Sequence, residues 1–119
     1  MDAERVLSGA AAEAAVVRLA EMSTDLRGCA VLDLQGRALA AVGGDPERWA
    51  DAGAALLAAA DAAGGEPITH VHVATEDGEA FAVRHEGLAM VAVAERFALA
   101  SLMVFDMRAV LRDLARESA

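Results

Sequence analysis

Three histidines, one cysteine, ten arginines and no lysine set the chemical repertoire of this 119-residue chain. His70 and His72 alternate with Val71 and Val73, so on a strand both imidazoles lie on one face. A His-x-His pair can seat a metal, with His85 as a third ligand, but no carboxylate or cysteine stands at a spacing that completes the set. No metal site and no cofactor is expected. Cys29 lies among apolar neighbours, with no resolving cysteine or histidine close in sequence, and reads as a buried thiol without a redox role. Asp33 interrupts an apolar run beside Gln35-Gly36, where its carboxylate can accept hydrogen bonds from turn amides; as a catalytic carboxylate it lacks a partner. Ser8, Ser23, Ser101 and Ser118 fall outside any G-x-S-x-G setting. The missing lysine removes both the phosphate-binding lysine of a GxxxxGK[ST] loop and all Schiff-base chemistry. The arginines read as scattered, without a basic stripe, and their spacing marks none as a catalytic finger. Catalysis is not expected.

The charge balance narrows the partners. Nineteen acidic residues against ten basic ones give a net charge of −9, which disfavours nucleic acid and anionic membrane surfaces. The most apolar stretch, residues 87–105, is broken by Glu95 and Arg96 and makes a poor membrane span. The start Met1-Asp2-Ala3-Glu4 lacks the cationic head and apolar run of a signal peptide, so a cytoplasmic location is the expectation. The length fits one domain over residues 1–119. Apolar residues make up 56% of it, and 31 of them are alanine, so helices are expected to pack closely through small side chains.

The elements that must position these residues follow from periodicity and punctuation. Residues 2–22 read as an amphipathic helix with Ala3, Leu7, Ala10, Ala14 and Val17 on its apolar side. Residues 29–34 and 37–42 read as a hairpin around Gln35-Gly36. Asp45, Pro46 and Glu47 start a second helix, which ends near Ala63 before Gly64-Gly65 and Pro67. Strands over residues 68–75, 79–85 and 88–94 form a meander, and a last helix runs from about Ala98 to Arg116, with Leu99, Leu102, Met103, Met107, Val110 and Leu114 as its stripe. The fold class is α/β with α+β layering: a five-stranded antiparallel sheet in the order α-β-β-α-β-β-β-α, one helix on one face and two on the other.

This order, together with Gly28-Cys29-Ala30-Val31-Leu32-Asp33-Leu34-Gln35-Gly36 and the acidic-glycine turn Thr75-Glu76-Asp77-Gly78, resembles the roadblock family of dynein light chains and bacterial gliding-motility regulators. The resemblance covers nearly the whole chain and rests on order and spacing together. Where that family often carries Asn or Gly before its last helix, this chain has Phe97-Ala98-Leu99-Ala100. The resemblance implies a non-catalytic module that dimerises through its second helix and third strand into one continuous sheet. It also implies a regulator or scaffold for a Ras-like small GTPase; a small-ligand sensor or an adaptor subunit without a GTPase is the alternative.

The second helix supports a close helix pair independently, because Ala50, Ala52, Gly53, Ala54, Ala55, Ala58, Ala59 and Ala60 are all small. The interface expected on these grounds comprises Trp49, Gly53, Ala54, Leu57, Ala58, His70 and His72. Trp49, the one tryptophan, reads either as a helix-to-sheet filler or as an interface hot spot. If the third strand pairs with its symmetry mate, His70 and His72 of both chains approach the twofold axis and could form a pH switch.

Overall fold

The computed structural model describes residues 9–117. In chain order it contains α1 (Gly9–Met22), β1 (Leu26–Leu32), β2 (Ala38–Val42), α2 (Pro46–Gly64), β3 (His70–Ala74), β4 (Glu79–His85), β5 (Leu88–Ala94) and α3 (Ala100–Glu117). The order and the all-antiparallel sheet agree with the sequence reading. The expected helix start at residue 2, with Ala3, Leu7 and Ser8, and also Ser118, lie outside the described residues.

Local chemistry explains the boundaries. Asp45 Oδ1 accepts from the Glu47 amide at 3.1 Å, Pro46 opens α2, and Gly65 closes it in the left-handed conformation, donating its N–H to the Asp61 carbonyl. Asp33 Oδ1 accepts from the amides of Gln35 and Arg37, both at 2.9 Å, and so ties the β1–β2 turn as expected. The β4–β5 link is two residues, Glu86 and Gly87, both at positive φ, the twist that a tight hairpin needs.

The strands lie in the order β2-β1-β5-β4-β3. Pairing of β1 with β5, in the register Ala30↔Val91, joins the first hairpin to the meander. Alternation then sends side chains to two unlike cores. On one face α1 and α3 enclose Val16, Leu19, Phe81, Met90, Met107 and Leu111. On the other, α2 alone covers Ala30, Leu32, Leu57, Ala82, Ala89 and Val91. This is the expected division of one helix and two.

Both flanking helices differ in phase from the sequence reading. In α1 the buried residues are Ala12, Ala15, Val16 and Leu19, whereas Ala10, Ala14 and Val17 face solvent. An alanine-rich helix has too little contrast between its sides for the pattern to mark the one that packs. In α3 Met103, Met107, Val110 and Leu114 are buried as expected, but so are Val104, Leu111 and Ala115. That wider buried arc turns Leu99 and Leu102 outward, to 65% and 52% exposure. It also places Arg108, Arg112 and Arg116 on successive exposed turns, so the arginines are not all scattered.

Candidate functional site

The two sheet edges are unequal. β2 is half-buried, held by α1 on one side and α2 on the other, while four of the five residues of β3 are exposed. β3 holds no proline or Lys/Arg/Asp/Glu residue, and its regular pairing with β4 shows no bulge. Natural edges use such devices to prevent strand addition, so β3 is an edge free to pair.

Beside that edge, on the α2 face, lies a hollow of about 210 Å³ lined by apolar residues, among them Trp49, Ala52 and Leu56 of α2 and Val73, Val91 and Val93 of the sheet. Trp49 is half-buried: a Cβ built on Gly28 would fall 2.7 Å from its Cζ2, and one on Gly44 would fall 3.3 Å from its Nε1. The ring therefore needs both glycines to lie flat on the chain, and its remaining edge meets the hollow. Gly53 points into the sheet, where a Cβ would come within 2.9 Å of both Leu32 Cδ1 and Val91 Cγ1. Its missing side chain sets how closely α2 approaches. Leu57 is buried in the same layer.

Ala54 and Ala58 are exposed on the other flank of α2, away from β3. There they line a second hollow of about 500 Å³ beneath the β1–β2 and β4–β5 turns. At its end Arg84 donates through Nη1 and Nη2 to Asp61 Oδ1 and Oδ2, at 2.7 and 2.8 Å, and Asp61 Oδ1 also accepts from the Ile68 amide at 2.9 Å. The Arg84 guanidinium, with that amide, holds the Asp61 carboxyl down to about 2. The pair braces the end of α2 against β4 and the chain leading into β3.

His70 and His72 lie on the opposite, α3 face of β3. The His72 ring stacks on Phe81 at 4.6 Å, and its Nε2 is 2.6 Å from Glu79 Oε1. The other Glu79 oxygen accepts from the Phe97 amide at 2.7 Å. His70 Nδ1 accepts from Arg108 Nη2 at 2.9 Å. His85 turns instead toward Glu86, and among the described residues no three His, Cys, Asp or Glu side chains cluster to hold a metal. Cys29 is buried, its Sγ 3.6 Å from the Val16 carbonyl oxygen, and desolvation pushes the thiol up to about 12. It is inert at neutral pH.

The structure thus brings Trp49 to the hollow beside β3, sets Gly53 and Leu57 beneath α2, places Ala54 and Ala58 on the far flank, and puts the histidines on the reverse face. Ala52, already counted among the small residues of the pairing helix, flanks the open edge with Leu56 and Val73; none of the three belonged to the interface expected from sequence. Ala52 and Leu56 are one turn apart on the side of Trp49, but which side of α2 meets β3 is set by the path of the helix over the sheet.

The element order and the five-stranded antiparallel sheet are those of the roadblock/LC7 fold. Solved structures with this fold include a roadblock/LC7 domain from Streptomyces avermitilis, with TM-score 0.77 and 18% identity over 87% of this chain and 94% of that one. MglB of Myxococcus xanthus matches with TM-score 0.76 and 14% identity, over 91% of this chain and 87% of that one. An MglB in a tetrameric arrangement matches with TM-score 0.69 and 20% identity, over 95% and 93%. No family model and no curated protein matches the sequence. Among the described residues no helix is long and apolar enough to cross a membrane.

Proposed function

We propose that the chain is a non-catalytic, homodimeric regulator or scaffold for a Ras-like small GTPase, acting in the cytoplasm. The observation that carries the reading is the open β3 edge beside an apolar hollow in a fold shared with MglB. Antiparallel pairing of β3 with its mate continues the sheet through main-chain hydrogen bonds, and Trp49, Ala52, Leu56 and Val73 then pack across the axis. Gly53 and Leu57 serve that surface from beneath, by fixing the height of α2. Two groups that could have worked in chemistry are already engaged, Asp61 with Arg84 and Asp33 with its own turn, which supports a docking role.

Sedimentation tests the dimer. Ala52→Arg, at an exposed position beside the edge, is expected to give monomers, while Ala58→Arg on the far flank leaves the dimer intact. The reverse pattern would place the interface on the wrong side of α2. Retention of a small GTPase from native lysate, dependent on its bound nucleotide, tests the partner. A small molecule co-purifying in native mass spectrometry, with no GTPase retained, would favour the sensor reading.

A further inference from the structure

The outer surface of α3 differs in character from the rest of the molecule. Phe97, Leu99, Leu102 and Phe105 are 83, 65, 52 and 65% exposed. Arg108, Arg112 and Arg116 then follow at four-residue intervals, all exposed. From Leu99 to Arg116 this surface runs about 26 Å at helical rise. With Arg96 it gathers four of the ten arginines of a chain whose net charge is −9. Among the described residues the nearby carboxylates are largely withdrawn from this surface: Asp106 is buried beneath it, Asp113 pairs with Arg18 at 2.8 Å and Arg116 at 3.4 Å, and Glu95 pairs with Arg27 at 2.8 Å, while Glu117 is exposed at the end of α3.

The turn leading into α3 is strained and leaves an aromatic ring exposed. Phe97 has φ 66°, a left-handed conformation that Asn or Gly adopts at less cost. Buried Glu79 holds it there through the Phe97 amide, and the ring points outward with the Arg96 guanidinium 4.6 Å from its centroid. The conformation thus satisfies a buried carboxylate and at the same time leaves an aromatic ring on the surface.

Beside α3 there is room for another helix. α1 lies across β1 and β2, and α3 lies across β4 and β5, leaving β3 beyond its edge with His70, His72 and Ala74 exposed on this face. A hollow of about 390 Å³ opens there between β3 and α3, bounded by His70, Ser101, Val104, Phe105 and Arg108.

We propose that this surface docks an acidic amphipathic helix of a partner protein, laid along α3 with an apolar side chain in the hollow over β3 and carboxylates against Arg108, Arg112 and Arg116. A helix fits because Leu99, just before α3, and Leu102 and Phe105 in its first two turns recur about once per turn, the spacing that a facing helix matches with its own anchors. Packed helices sit about 8–10 Å apart, so one alongside α3 would cover β3 as α1 covers β2. Acidity follows from complementarity: the arginines attract carboxylates here, while the acidic remainder of the chain repels them elsewhere. A bilayer is a poorer occupant, because the net charge opposes approach to anionic lipid and the concave hollow suits a single side chain. The surface lies opposite the α2 hollow, so the proposal does not depend on pairing through β3.

Fluorescence anisotropy with two synthetic helical peptides of about five turns decides it. Both carry leucine every third or fourth residue; one has glutamate at the remaining positions and the other lysine. The glutamate peptide is expected to bind the full-length protein, the lysine peptide not. Arg108→Glu with Arg112→Glu should weaken binding about tenfold or more, and Phe105→Ser should weaken it independently of charge. All three positions are exposed, so unchanged melting temperatures confirm that the variants fold. No binding, equal binding of both peptides, or undiminished binding by the charge-reversed protein overturns the proposal. So does preferential binding to phosphatidylglycerol-containing vesicles, which would make the face a membrane surface.

Discussion

The two faces of the sheet are built on opposite rules. Under α1 and α3 the core is thick, filled with Phe81, Met90, Met107 and Leu111, and closed over the central strands. Under α2 it is thin: Gly53 lets the helix lie close, and Ala30, Ala82 and Ala89 contribute little volume. A thick layer gains more from apolar burial. A thin layer under one helix leaves hollows on both of that helix's flanks, and those are the places where another molecule can seat. One face therefore holds most of the core and the other leaves its helix flanked by hollows, while the thick face opens only at its margin, between β3 and α3.

Substitutions can break or sharpen this contrast. Leu111→Ala in the thick layer should cost about 2–5 kcal/mol in chemical denaturation, near the upper end because α1, α3 and the sheet cannot all collapse onto the void. Leu57→Ala should cost less, since α2 can settle toward the sheet, and equal losses would mean that the layers are not mechanically distinct. Gly53→Leu should cost about 1–3 kcal/mol by forcing α2 off Leu32 and Val91. It should also weaken the dimer, read by sedimentation, if the height of α2 sets the interface. The Asp61–Arg84 brace predicts a pH effect. The folded carboxyl titrates at about 2, below its ordinary value near 4, so its stabilisation is fully present above about pH 4 and is lost as pH falls through about 2. Acid unfolding of Asp61→Asn should be flatter across that window, and parallel curves would show that the brace does not contribute. The smallest effect belongs to Cys29: native protein at pH 8 should show no thiol labelling on the timescale on which urea-unfolded protein labels fully.

Much of the architecture was legible because short-range chemistry encodes it. Asp45-Pro46, Gly65, Glu86-Gly87 and the Asp33 turn each act within a few residues, and each element they bound was readable. Helix phase was less so. In α1 the alternatives differed only in which alanines faced inward, and in α3 the apolar residues extend more than halfway round, so Leu99 and Leu102 looked like core. Arg108, Arg112 and Arg116 stood in view at four-residue spacing but meant nothing until the buried arc of α3 was known. The side of α2 that faces β3 depends on the diagonal path of the helix over the sheet, which no local pattern carries. For that reason the sequence reading gathered Gly53, Ala54, Leu57 and Ala58 with Trp49, and the structure distributes them among the sheet side, the far flank and the hollow.

The pairing of β1 with β5 has a consequence for how the chain acquires its form. About sixty residues separate the partners, so β1 is held on one side by β2 soon after synthesis while its other side waits for the last strand. Closing so long a loop is slow relative to forming hairpins. On the ribosome the β5-facing edge of the apolar run Cys29-Ala30-Val31-Leu32 stays unpaired until residues 88–94 have emerged, which exposes it to mispairing with another nascent copy.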